Sequence, residues 1–227
     1  MKTIAVLPVK RLASAHARLA PILAPDARER VAEAMMLEML PKMRRCRTID
    51  ETIVVTSDPA VARHADWLGH VVVEQEQDQG HPHAAAAGAR AAIERGADRV
   101  AMLPTDCPLF DPAELDDRLG DTPRAALIVP DRNGTGTNAL VLSPPDAIEP
   151  AFGPDSCAKH VTRARAAGIS FALEKLPSLA DDLDTQEDLE RLRDALLLSP
   201  DPAPRTARLL WELSAGEGDG DASPAAP

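Results

Sequence analysis

Short apolar runs alternate with segments of helical spacing along nearly the whole chain, and this alternation constrains the fold more than any other feature. TIAVLPV (3–9), ETIVVTS (51–57), HVVVEQ (70–75), RVAMLP (99–104), AALIVP (125–130), ALVLS (139–143) and ISFALEKL (169–176) read as strands. Between them, 25–46, 59–69, 83–95, 111–119, 155–167 and 185–198 read as helices. Val31, Ala34, Met35, Met39 and Met43 recur at near-helical spacing, with the methionines as core filler. Thr185 is placed to cap the last helix while Asp188 reaches back to it. The order predicts an α/β protein, a three-layer sandwich with a largely parallel sheet, in one domain over 1–198. In such a sheet ligands bind beyond the carboxyl ends of the strands.

Composition narrows the function classes. The 227 residues carry 36 acidic against 25 basic side chains, a net charge of -11, which argues against a nucleic-acid surface. Cys46, Cys107 and Cys157 are odd in number and lack C-x-x-C spacing, so neither a disulfide framework nor a zinc site is expected. The N-terminal apolar run is too short for an export signal and no apolar run reaches membrane-spanning length, so a soluble cytoplasmic protein is expected. From 199 to 227 the composition turns to an acidic, Pro/Ala/Gly-rich tail, expected to be mostly disordered. Within it RTARLLWEL reads either as a short docking helix anchored by Leu209, Leu210, Trp211 and Leu213 or as a frayed end.

Four loops at the presumed binding edge carry the chemistry. After the first strand, PVKRLASAHARLAP places Lys10, Arg11 and Arg18 in one basic turn, able to hold a polyphosphate or to stand as a solvated charge cluster. The glycine patterns of dinucleotide-binding and P-loop proteins are absent from it. After the fourth strand, Asp106 in PTDCP sits where a carboxylate can either hold magnesium or cap the next helix. LADDLDTQEDL sets Asp181, Asp182 and Asp184 before a helix, where acids complement the dipole. On an extended chain Asp182 and Asp184 project to one side, and acids so crowded repel unless a cation lies between them. FGPDS brings Gly153, Pro154, Asp155 and Ser156 to a helix start, suited to an anion or to plain capping by Asp155. Together these loops suit magnesium-assisted phosphoryl or nucleotidyl transfer.

AVLPVKRLASAHARLAP, LPTDCPLFDPAEL, PDRNGTGTNALVLSPP, FGPDSCAKH and LADDLDTQEDLERL occur in a particular order and spacing. In these the chain resembles the 2-phospho-L-lactate (or phosphoenolpyruvate) guanylyltransferases of coenzyme F-420 biosynthesis, over roughly 3–195. The resemblance implies a Rossmann-like nucleotidyltransferase fold, related to the molybdenum cofactor guanylyltransferases. It implies joining of GMP from GTP to a small phosphorylated three-carbon acid, with 2-phospho-L-lactate, phosphoenolpyruvate and 3-phosphoglycerate all open. It also implies Mg2+ at Asp106, Asp182 and Asp184, and nucleotide binding by Lys10, Arg18, Gly80 and Asp106, of which Lys10, Arg18 and Asp106 form the catalytic set. The acid would be held by Arg132, Gly134, Thr135, Gly136, Thr137, Gly153 and Ser156, with Arg132 either on the anion or bracing the loop. A homodimer, and hand-over to the downstream phospholactate transferase, are further implications.

Two departures from the family pattern stand out. His16 replaces a lysine in AHARL, and GHPHAA (80–85) carries Pro82 where an asparagine is usual, with His81 and His83 either compensating by hydrogen bonding or standing as exposed helix-start residues. They motivate the reading of a catalytically inactive nucleotide-binding regulator; a molybdopterin or sugar-phosphate nucleotidyltransferase is a further alternative, which the absence of a glycine-rich first loop disfavours.

Overall fold

A computed structural model describes residues 1–120 and 125–218. Among these residues seven strands, β1 (Thr3–Val9), β2 (Glu51–Thr56), β3 (Val71–Glu74), β4 (Arg99–Met102), β5 (Ala126–Pro130), β6 (Thr137–Leu142) and β7 (Phe171–Leu173), form one sheet in the order β3-β2-β1-β4-β6-β5-β7. Every pairing is parallel except those of β6, which runs antiparallel to both neighbours. The largely parallel sheet read from the sequence is thus present. The final strand is shorter than ISFALEKL suggests and lies at the sheet edge.

Every residue of β1 is buried, as a strand covered on both faces requires. Its side chains divide with period two between the faces. Ala5, Leu7 and Val9 meet α1 (Pro25–Met43), α2 (Pro59–Trp67), α4 (Pro112–Gly120) and α6 (Pro177–Ala180). Ile4 and Val6 meet α3 (His81–Glu94) and α5 (Ser156–Ala166) on the other face. Helix α3 is alanine-rich and lies very close to the sheet. A Cβ on Gly88 would fall 2.2 Å from Val6 Cγ1 and 3.0 Å from Val55 Cγ2.

Helix α1 is apolar on two sides. One side covers the sheet, while Ala27, Val31, Ala34 and Met35 pack against α7 (Gln186–Leu198) and α8 (Pro204–Gly218). Helix α7 opens with the capping box expected of Thr185 and Asp188, and Asp188 Oδ2 accepts the Thr185 N–H at 2.9 Å.

Helix α8 corrects the expectation of a mostly disordered tail from residue 199. Ala207, Leu209 and Leu210 are buried in the core shared with α1 and α7, which stabilises the helix. Glu38 accepts the Arg205 N–H at 2.6 Å, and Arg30 pairs with Glu212 at 3.0 Å. Leu209 and Leu210 anchor it and Leu213 is partly buried, whereas Trp211 is 49% exposed and is no anchor. The disorder expected of the last dozen residues falls on 219–227, outside the described residues, apart from 216–218, which close α8. Leu210→Ala is expected to lower the unfolding free energy by about 3 kcal/mol, seen as a lower denaturation midpoint in urea. An unchanged midpoint would mean that α8 adds nothing to the core. Among the described residues, no helix is long and apolar enough to cross a membrane.

Candidate active site

The order of the strands locates the cleft. The chain steps outward from β1 to β2 and β3, then returns to place β4 on the other side of β1. The carboxyl ends of β1 and β4 therefore flank the point where the winding reverses, the favoured ligand crevice of an open α/β sheet. Lys10 follows β1 and Asp106 follows β4, and both line one cleft with His16, His81, Thr105 and Asp184. A smaller pocket beside it is lined by Ser57, Gln75, Asp78 and Gly80, and shares Lys10 and His81 with the first. Gly80 has φ 90°, a left-handed conformation glycine adopts freely, and its N–H donates to Asp78 Oδ1 at 2.8 Å.

Antiparallel β6 brings its first residues to the same edge. Met102 faces Leu140, so Thr137 and Asn138 lie beside the chain leaving β4. Asn138 Nδ2 donates to Leu179 O at 2.6 Å and to Asp182 Oδ1 at 3.1 Å. Leu183 ties the acidic segment down through its backbone. Its N–H donates to Asp106 O at 3.2 Å, and its carbonyl accepts from His16 Nδ1 at 2.8 Å. His16 thus fastens two loops together. Burial lowers its pKa and favours the neutral ring.

Asp106, Asp182 and Asp184 form a charge-coupled group. Burial, and next the Asp184 charge, push the Asp106 carboxyl up to about 6; burial, and next the Asp106 charge, push Asp182 to about 6. Asp106 Oδ1 is buried without a hydrogen-bond partner. Asp184 pairs at 3.0 Å with Arg18, whose side chain is 71% exposed at the rim. Asp181 instead joins Arg191 at 2.7 Å. Among the described residues no group of three His, Cys, Asp or Glu side chains is arranged to hold a metal ion by itself. An orphaned carboxylate oxygen among coupled acids nevertheless fits a hard cation, and magnesium takes much of its coordination from phosphate oxygens and water.

The glycine-threonine loop is built differently from the expectation. The Asp131 carboxylate accepts the Thr135 N–H and the Gly136 N–H, each at 2.9 Å, and the Thr135 hydroxyl at 3.3 Å. Those donors, expected on the acid, close the loop on itself. A Cβ at Gly136 would lie 2.7 Å from Asp131 Oδ2 and would displace that carboxylate, and Gly134 turns the chain at φ 76°. Arg132 pairs with Glu187 at 2.8 Å and Asp188 at 2.9 Å at the start of α7, so it braces the loop in place of offering itself to an anion.

The Thr135 carbonyl accepts the Cys157 N–H at 3.1 Å, which brings α5, and with it Gly153 and Ser156, to the loop. Gly153 has φ 110° with open space around it, while Ser156 is buried. Asp155 adopts a left-handed conformation and makes no side-chain cap, so the capping expected of it is absent. His81 is not the exposed residue expected. It lines the cleft, packs edge-on against Phe152 with ring centres 4.9 Å apart, and has its pKa lowered to about 4 by burial and then Lys10. His83 is exposed. Asn138, Asp131 and His160 are not singled out by the sequence; the place of Asn138 and Asp131 at the two ends of the glycine loop was the available signal for those two.

The fold, with Lys10 and coupled carboxylates facing each other across the reversal point, is shared with nucleotidyltransferases, and the relatives make the chain one of these enzymes. A crystal structure described as a nucleotide-diphospho-sugar transferase, from Desulfovibrio desulfuricans G20, superposes with a TM-score of 0.77 at 20% identity, covering 95% of this chain and 96% of that one. Residues 3–194 match the family described as "Guanylyl transferase CofC like", and the chain belongs to that family. The phosphoenolpyruvate guanylyltransferase of Conexibacter woesei is 41% identical over 94% of this chain and 97% of its own length. The 2-phospho-L-lactate guanylyltransferase of Methanothermobacter thermautotrophicus is 33% identical over 83% of each chain.

Proposed function

We propose that the protein transfers GMP from GTP to the phosphate of a small phosphorylated three-carbon acid, with release of pyrophosphate, in the biosynthesis of the deazaflavin coenzyme F-420. The observation that carries this reading is the arrival at one sheet edge of Lys10 and the coupled acids, of the start of β6, which Asn138 ties to Asp182, and of the start of α5, which Cys157 ties to the Thr135 carbonyl. Phosphoenolpyruvate is the favoured acid, because the 41% identical relative is named for it and the 33% identical one for 2-phospho-L-lactate.

A phosphate oxygen of the acid attacks the α-phosphorus of GTP. The new P–O bond forms as the bond to the β-phosphate oxygen breaks, and pyrophosphate carries away the electron pair. The nucleophile is already anionic near neutral pH, so no base among the side chains has to remove a proton. Lys10 neutralises phosphate charge from the β1 end of the cleft, and Arg18 does so from the rim. The Thr137 hydroxyl, the Gly153 N–H and Ser156 hold the acid so that its phosphate is aligned with the leaving pyrophosphate. Magnesium, held by Asp106 with Asp182 and Asp184 beside it, would supply charge neutralisation and polarise phosphate oxygens. Gly80 and His81 border the nucleotide side of the groove.

Pyrophosphate release in magnesium, crossing GTP, ATP, CTP and UTP with phosphoenolpyruvate, 2-phospho-L-lactate and 3-phosphoglycerate, tests the reading. Turnover is expected with GTP and phosphoenolpyruvate. Turnover with another nucleotide would assign an altered base pocket to the Pro82 region. Silence in every combination, with folded protein, would replace the enzyme by a nucleotide-binding regulator.

A further inference from the structure

Behind the acceptor loop stands a histidine with no part in the reaction just described. His160 lies on α5 and is 0% exposed. Both ring nitrogens are engaged: the Ala151 N–H reaches Nε2 at 2.8 Å, and Nδ1 lies 3.0 Å from Thr137 Oγ1. A backbone amide can only donate, so Nε2 must be the bare nitrogen and the neutral ring carries its proton on Nδ1. That proton points at the threonine oxygen, which accepts it.

A hydroxyl that accepts on one side still has its own proton to give on the other. We propose that His160 is a positioning residue that fixes the Thr137 hydroxyl as a hydrogen-bond donor toward the anionic acid, and thereby sets the enzyme's affinity for that substrate. The inference rests on the acid-binding role given to Thr137 above. Left to itself a threonine hydroxyl rotates, and in some orientations it turns a lone pair toward an incoming carboxylate or phosphate. With the imidazole behind it, the donor orientation is set before the acid arrives, so less ordering is needed on binding.

Three features hold the arrangement. Phe152 packs edge-on against the His160 ring at 5.2 Å between centres and blocks its rotation. Burial, then Arg163 and Lys159, lower the ring's pKa to about 4, so it stays neutral at working pH. A protonated ring would also set an N–H against the Ala151 N–H. The same Phe152 packs against His81 at the nucleotide side, so one ring spaces the two halves of the site.

The test combines a spectrum with kinetics. A long-range 1H–15N correlation of the wild-type protein at pH 7.5 is expected to show His160 as the neutral Nδ1–H tautomer; an Nε2–H tautomer or an imidazolium would overturn the donor chain, with no substrate involved. In kinetics, Thr137→Val is expected to raise the KM for phosphoenolpyruvate on the order of 10-fold or more, as loss of a hydrogen bond to a charged group does. Thr137→Ser, which keeps the hydroxyl, should recover most of it. His160→Leu should raise the same KM while leaving the KM for GTP within about twofold, and His160→Asn, which keeps a donor near the Nδ1 position, should lie between. In the Thr137→Val background His160→Leu should add nothing further to the acid KM. Effects that multiply in the double variant, or that move both KM values equally, would make His160 a packing residue and overturn the inference. Absence of acid-dependent turnover in the wild type counts against the reaction itself, while the tautomer spectrum still decides the hydrogen-bond chain.

Discussion

Asp106→Asn is expected to lower turnover on the order of 10²- to 10³-fold while making the metal-free protein more stable above pH 6. Both effects follow from one carboxylate with a buried, unpartnered oxygen set among like charges. The sign of the stability change can be worked through. An unfolded aspartate titrates near 3.9, and this one is pushed up to about 6 when folded. The stability it contributes is therefore fully present below pH 3.9 and is lost as pH rises through 6. At pH 8 the charged form weakens the fold by up to about 3 kcal/mol, a cost that asparagine avoids. In chelator at pH 8 the variant should melt on the order of 5 °C higher than the wild type, and the gap should shrink as pH falls toward 4. Magnesium should raise the wild-type melting temperature more than that of the variant. Unchanged turnover would remove Asp106 from the chemistry, and a variant that melts lower at pH 8 would refute the charge crowding.

Gly88→Val should damage the fold more than other single changes on the sheet faces. Even the first added carbon would lie 2.2 Å from Val6 and 3.0 Å from Val55, both on strands held from two sides. The helix must lift or the strands must shift, at about 3 kcal/mol or more for a forced overpacking. Because α3 begins at Gly80 and His81, a lifted helix also displaces the side of the groove proposed for the nucleotide. Urea denaturation should show a much lower midpoint, and the surviving folded fraction should bind nucleotide more weakly than it binds the acid. A midpoint within about 0.5 kcal/mol of wild type would show that the helix-to-sheet contact is softer than its geometry implies.

The fold was readable because its signal is periodic. Runs such as TIAVLPV and ETIVVT have one plausible use, and the Thr185 capping box declares itself at three-residue spacing. The end of the chain was less readable, since RTARLLWEL is amphipathic enough either to dock or to fray, and its outcome depended on the outer face of α1. In the site, the loops were legible and the partners within them were not. Arg132 looks like an anion holder until Glu187 and Asp188, more than fifty residues away in sequence, close on it. The donors of Thr135 and Gly136 look free until the Asp131 carboxylate is seen to occupy them. His160 was invisible because its meaning lies in two hydrogen bonds to distant chain, with only its residue type showing in the sequence.

Leu183 joins the acidic segment of the cleft to the core of α1, α7 and α8, since its backbone holds Asp106 and His16 while its side chain is buried among those helices. This gives the protein an order of completion during synthesis. A growing chain on the ribosome possesses Lys10 and Asp106 well before α8, but the surface that seats Leu183 is finished only when that helix has emerged. The acidic edge of the cleft is therefore completed late, and a polypeptide ending before α8 would carry Lys10, Asp106 and the glycine-threonine loop without the keel that seats Leu183.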